Sequence, residues 1–324
     1  MKENTRQHYI PQIYLSNFSN DGKGVWVYNK TRSKKYITST DKICYKDDFY
    51  SLGEQIIEES EGLLNRLSIE KKFFARNVEI ELSTILKQLV ESVDENIRKN
   101  PRSCLFIDEH SKRLIAQHIA IQFLRLPELR EYLEKFERSL IRAVKKITDC
   151  DNCRKASNYN EIEDFLTRKR DPAFEHFDMG FGAEELINDY SERLVNNFWE
   201  FYINPNGDYY TSDFPIVVEP HVKNTELECL GLAMYGAEVT YPITKKLLLK
   251  IWDNRYFPQK KENDGCFLYA TDKFVRYEKI RQYLFAREIV ISPIDDFSLP
   301  ELITKIEGKE VSYHPNFICV NNWD

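Results

Sequence analysis

Apolar residues follow two rhythms along this chain, and the change from one to the other marks its parts. Near the start, Ile10, Ile13, Tyr14 and Phe18 recur every three to four residues, which predicts a short helix or turn with Pro11 in its first turn. The runs Val25-Trp26-Val27-Tyr28 and Lys35-Tyr36-Ile37-Thr38 are β-branched and aromatic and flank a polar turn, so they predict a hairpin. From residue 56 to about 100 the apolar positions Ile57, Leu64, Leu67, Phe74, Ile80, Ile85, Leu86, Leu89 and Val93 return at helical spacing. Two helices with a break near residues 76–79 are expected there.

A second helical block starts at Asp108, whose carboxylate suits an N-cap, and runs to Leu126-Pro127; an amphipathic stretch then covers residues 129–147. Residues 149–182 read as a connector with one short helix near 161–167, and residues 184–198 as a helix. Strand rhythm takes over at 199–203, followed by the turn sequence Asn204-Pro205-Asn206-Gly207-Asp208 and an expected partner strand at 209–211. Further strands are expected at 216–218, 238–241, 247–251 and 289–291, with a helix at 273–286. This pattern predicts an α+β fold in which a helical middle packs with a largely antiparallel sheet made from the N-terminal hairpin and the C-terminal strands. One domain spanning 1–324 is expected: a hairpin region 1–53, a helical region 54–200 and a sheet region 201–324. The hairpin should join the later strands, because two strands alone are marginal in water.

Composition narrows the function classes. The 324 residues are 42% hydrophobic and 30% charged, which excludes a wholly disordered chain. Lys and Arg number 46 against 52 Asp and Glu, a formal charge of −6, so no general basic field draws the chain to nucleic acid and any such contact must be local. The N-terminus lacks an apolar leader core and no window is apolar enough to cross a bilayer, so a cytosolic protein without a membrane partner is expected. Seven cysteines, scattered and odd in number, suit reduced thiols. Only Cys150 and Cys153 lie close together, and no second pair completes a zinc set, so no metal site is expected and no cofactor is named by the residues.

Signatures for phosphate loops, dinucleotide-binding turns, zinc proteases and nucleophile elbows are missing. Arg113 and His118 have the Arg-x4-His spacing of ribonucleases of the higher-eukaryote and prokaryote nucleotide-binding type, which the chain resembles in spacing alone. There a histidine works as acid or base while an arginine steadies phosphate charge. Arg170 and His176 give a one-residue-longer version, and about one such match arises by chance in a chain of this composition.

A broader resemblance rests on ordered blocks. Gln7-His8-Tyr9-Ile10-Pro11-Gln12-Ile13-Tyr14-Leu15-Ser16-Asn17-Phe18, then Gly24-Val25-Trp26-Val27-Tyr28-Asn29-Lys30, resembles the opening of a widespread bacterial family known as domain of unknown function 4238. Asp48-Phe49-Tyr50 with Glu58-Glu59-Ser60-Glu61, residues 119–127, Thr211-Ser212-Asp213-Phe214-Pro215 and Tyr241-Pro242-Ile243-Thr244 follow in the same order. Phe214 stands where the family pattern commonly reads Asn. The resemblance supplies a family and no activity.

The polar residues within these apolar blocks are the candidate site: His8, Glu61, Gln122, Arg125 and Asp213. Together they would offer a base, two carboxylates, an amide and a guanidinium, enough for phosphodiester or amide hydrolysis. Arg125 is expected to pair with Glu59 or Glu61, and Asp213 to orient His8. The same set also reads as a buried polar network that fixes the fold. The functional expectation is a cytosolic bacterial effector that acts on or senses nucleic acid through a local site, nuclease-like, in antiviral defence or as a toxin. The alternative is a non-enzymatic ligand-binding or protein-interaction module. A partner protein or a second copy of the chain is left open.

Overall fold

In the C-terminal half, the Ala237–Thr244 strand alternates between apolar and polar residues, and the sheet buries one face more apolar than the other. The computed structural model describes residues 5–21, 24–99, 108–149, 159–222 and 231–307. In chain order the strands are β1 (Arg6–His8), β2 (Gly24–Asn29), β3 (Lys34–Ser39), β4 (Tyr45–Asp47), β5 (Phe198–Ile203), β6 (Thr211–Ser212), β7 (Val217–Pro220), β8 (Ala237–Thr244), β9 (Leu247–Trp252), β10 (Cys266–Tyr269) and β11 (Ile289–Ser292). They form a short β1-β4 pair, a five-stranded sheet ordered β10-β5-β9-β8-β7 and a four-stranded sheet ordered β3-β2-β11-β6. Every pairing is antiparallel except β10 with β5.

The fold is α+β. The N-terminal hairpin β2-β3 joins the C-terminal part of the chain through β11, with Val27 opposite Ile291 and Tyr28 opposite Val290. In the five-stranded sheet, Trp199, Phe201 and Ile203, Leu247, Leu249 and Ile251, and Val239 and Tyr241 all belong to the main core. The intervening residues Glu200, Lys250, Glu238 and Thr240 take the other face, since side chains alternate along each strand.

Three expectations are corrected. The strand at 199–203 does not turn back on 209–211: β5 lies between β9 and β10, while Thr211–Ser212 pairs with β11 in the other sheet. The turn sequence at 204–208 carries the chain from one sheet to the next. The helix break expected at 76–79 falls earlier, because the first helix is only Glu54–Glu59 and residues 60–67 form turns, including Glu61 and Gly62 at positive φ. After them a π-helical stretch, Ile69–Val78, runs straight into the helix Glu79–Lys99. Pro172–His176 adds a short helix in the connector, with Asp171 accepting from the backbone N–H groups of Ala173 and Phe174. Cys150 and Cys153 lie outside the described residues.

The remaining helices fall where apolar spacing places them: Glu109–Leu124 with Asp108 as its N-cap, Pro127–Thr148, Tyr159–Thr167, Glu184–Asn196, Asp272–Phe285 and Ser298–Glu307. Pro127 holds Leu126 extended, which ends one helix and starts the next without a loop. Among the described residues no helix is long and apolar enough to cross a membrane.

Candidate functional site

The corner at Leu126-Pro127 leaves the last carbonyls of the Glu109–Leu124 helix without partners inside the helix. Side chains from elsewhere take them. His176 meets the Leu124 carbonyl at 2.9 Å, and the Tyr50 hydroxyl donates to the Arg125 carbonyl at 3.2 Å. Arg130 Nε donates to His176 Nδ1 at 3.2 Å, so the His176 proton is on Nε2 and points at Leu124. Burial, with Arg130 beside it, holds His176 neutral down to about pH 3 against a partial pull from the Leu124 carbonyl.

The N-terminal strap is fixed to the same corner. Gln7 accepts from the Tyr50 N–H and donates to the Ser51 hydroxyl at 3.3 Å. Arg125 Nη2 donates to the His8 carbonyl, and Gln122 Nε2 donates to the Tyr9 carbonyl at 3.0 Å. Gln122 and Arg125, three residues apart, share one helix face, and that face holds the strap by its backbone.

Arg125 is the centre of this arrangement. It is 1% exposed, its guanidinium carbon lies 3.7 Å from the Phe74 ring centre, and the Tyr50 ring is 5.8 Å away. Nε and Nη1 have no hydrogen-bond partner, and among the described residues Arg125 makes no ion pair. Its charge is felt by several titratable side chains around it, among them His118, His8 and Glu70. His118, on the same helix, has neither ring nitrogen partnered, and burial followed by Arg125 lowers its pKa to about 4. His8 is lowered for the same two reasons, with Asp41 and the Thr40 and Asp41 backbone partly opposing; its Nδ1 lies 3.3 Å from Gln12 Nε2. Glu70, from the π-helical stretch, is pushed up to about 7 by burial although Arg125 pulls it down, and its Oε2 has no partner. A proton acceptor, His118, and a carboxyl near half-protonation at neutral pH, Glu70, therefore both lie within electrostatic reach of the buried guanidinium.

The structure brings together His8, Gln122 and Arg125 of the five expected residues. Glu61 does not belong: it is exposed, in a turn at φ 52°. Glu59 is exposed as well and accepts from Gln55, so neither carboxylate pairs with Arg125. The apolar spacing from Ile57 had pointed Glu61 inward, but the helix ends at Glu59 and the register is lost. Asp213 is not the partner of His8 either. Its two oxygens accept from the backbone N–H groups of Arg287, Glu288 and Ile289 at 2.7–3.1 Å, clamping β6 to β11. Burial raises Asp213 to about 6 despite those three bonds. Side chains that sense its charge include Tyr9, one residue beyond His8, Cys44 and Lys30. The Arg-x4-His reading also fails, because Arg113 is on the surface with Glu109, and Arg170 pairs with Glu137.

The residues missed by sequence reading are Glu70, Tyr50 and Phe74, with His118 assigned to the wrong arginine. Glu70 and Phe74 are four residues apart, a helical neighbour relation that could have flagged them. Among the described residues no group of three or more His, Cys, Asp or Glu side chains is placed to hold a metal ion.

A second set of buried charges contrasts with the first. On the polar face of the five-stranded sheet, Lys250 lies 2.5 Å from Glu238 and 2.6 Å from Glu278, and Arg281 contacts Glu238 at 2.5 Å and Glu278 at 3.2 Å. His221 Nε2 donates to the Glu238 carboxylate at 2.9 Å, and Glu219 meets Arg281 at 2.8 Å. Burial opposes the charge on Glu238, yet Lys250 and Arg281 outweigh it and hold the carboxyl down to about 2. These charges compensate one another, whereas Arg125 is left without a fixed anion.

The model of one family, described as a protein of unknown function (DUF4238), matches residues 6–296. The chain belongs to this family. No curated protein and no solved structure matches it. The matched span of DUF4238 contains the strap, Arg125 and the Asp213 clamp, so the opening block that suggested the family is the block that Gln122 and Arg125 hold.

Proposed function

We propose that this DUF4238 protein recognises a phosphate ester through Arg125 and cleaves it by acid–base chemistry, the nuclease-like reading expected from the sequence. The observation that carries this reading is a guanidinium, 1% exposed, with two unpartnered nitrogens and no ion pair among the described residues. Leaving such a charge uncompensated is costly, and an incoming anion removes the cost. Arg125 would neutralise charge developing on phosphate oxygens. Neutral His118 would take the proton of an attacking hydroxyl or water, and protonated Glu70 would give one to the leaving oxygen. Because Arg125 is buried, the reading calls for a nucleotide or a nucleic-acid end in place of an internal duplex segment, in keeping with a net charge of −6. The cytoplasm is the compartment where such a substrate is met, and a defence or toxin role remains part of the same proposal.

Burial of Arg125 also favours a second reading, a ligand-binding module that holds the anion without turnover. Incubation with end-labelled RNA and DNA, in Mg²⁺ and in EDTA, tests the first. Calorimetric titration with a nucleoside monophosphate tests the second. Cleavage lost in Arg125→Met and His118→Asn supports the enzyme; binding without cleavage supports the module; neither binding nor cleavage by the wild type overturns both.

A further inference from the structure

The π-helical stretch Ile69–Val78 has two working sides. Phe74 packs against the Arg125 guanidinium and Glu70 feels its charge, while Ile69 and Phe73 line a separate cavity of about 230 Å³ whose other wall is Leu64, Phe174 and Phe177. Wide helical turns of this kind are rare and concentrate at functional sites. The cavity is larger than the ~150 Å³ apolar void that admits benzene, so a two-ring aromatic group or a short acyl chain fits. Its walls are mostly apolar and open toward solvent, so a ligand that covers them removes apolar surface from water.

One cation stands at its edge. Lys72 is exposed, lines the cavity, and donates to the Leu63 carbonyl at 3.0 Å, with no ion pair among the described residues. An ammonium has three protons, so the carbonyl leaves donors for a ligand. From the apolar walls and this one rim charge, we propose that the cavity is a binding site for a small aromatic or aliphatic carboxylate. The ring or chain enters between Phe73, Phe174 and Phe177, and the carboxylate sits on Lys72. The site is independent of the phosphate-ester reading.

The probes are 2-naphthoate and its uncharged counterpart 2-naphthalenemethanol, followed by isothermal titration calorimetry on the full chain. Saturable 1:1 binding of 2-naphthoate is expected. Lys72→Gln should weaken 2-naphthoate about two- to fivefold, as suits a solvent-exposed ion pair, and leave the alcohol unchanged. Leu64→Trp, which fills the cavity, should remove binding of both. Lys72 is a surface residue, so its variant stays informative if Leu64→Trp does not fold. Absence of 2-naphthoate binding to the wild type, or an equal effect of Lys72→Gln on both probes, overturns the proposal. Arg125→Met should bind 2-naphthoate as the wild type does, which keeps failure here distinct from failure at Arg125.

Discussion

The guanidinium carbon of Arg125 sits 3.7 Å from the centre of the Phe74 ring, which places a permanent charge against an aromatic face in the interior. Stacking of this kind recovers part of the lost hydration, on the order of 2 kcal/mol for a desolvated pair, and leaves most of the penalty standing. Arg125→Met keeps the length of the side chain and its contact with Phe74 while removing the charge. The expected outcome is a melting temperature equal to or above that of the wild type, together with loss of nucleoside monophosphate binding. A strong fall in melting temperature would show that the guanidinium is structural, acting through its bond to the His8 carbonyl.

His118 gives a dependence on pH whose direction follows from its environment. Its folded-state pKa of about 4 lies below the ordinary 6.5, so the unfolded chain takes up the proton first as pH falls. The stability tied to neutral His118 is complete above about pH 6.5 and is lost as pH drops from 6.5 toward 4. At about 1.4 kcal/mol for each tenfold of proton affinity, the full loss is about 3 kcal/mol. Other groups titrate in the same window, notably Glu70 in the opposite direction, so the comparison is with His118→Phe. Urea midpoints at pH 7 and pH 4 should fall further in the wild type than in the variant, and equal falls would contradict the assignment.

Asp213 is expected to act on folding and not on chemistry. Three backbone N–H groups converge on its carboxylate, and removing it leaves those donors buried. Asp213→Ala should lose roughly 3–5 kcal/mol in urea denaturation, and Asp213→Asn less, since one amide oxygen still accepts. Ligand binding measured on the folded fraction should be unchanged. Loss of binding in a fully folded Asp213→Asn protein would return this residue to the site.

The hairpin and its docking were legible because alternation reports which face of a strand is buried, and Val27 and Ile291 both carry that pattern. The two-sheet division was not, because Trp199 to Ile203 and Tyr209 to Thr211 look like hairpin strands locally. Pairing with β9 and β10 is decided by packing far along the chain. Gln122 and Arg125 were legible as polar residues on an apolar helix. Their partners were not, since a backbone carbonyl such as that of His8 has no side-chain signature. Glu61 was misplaced for a local reason: the helix ends at Glu59 and Glu61 itself lies at φ 52°, so the helical register on which its inward position depended is lost before it.

The buried charges on the five-stranded sheet allow a sharper test of what compensation means. Lys250 sits between Glu238 and Glu278, and Arg281 bridges the same two carboxylates, so each acid has two cations. Removing Lys250 alone leaves two buried carboxylates sharing one guanidinium, and the low pKa of Glu238, which depends first on Lys250 among its cations, must rise. Lys250→Met should cost about 3–5 kcal/mol, because the desolvation of Glu238 and Glu278 remains while half of the attraction is gone. Adding Glu278→Gln removes one excess negative charge and should recover part of that loss, so the two changes are non-additive by at least about 1 kcal/mol. Urea denaturation of the two single variants and the double variant measures this coupling. Strict additivity would mean that the four side chains do not act as one balanced set, and that their closeness contributes nothing beyond packing.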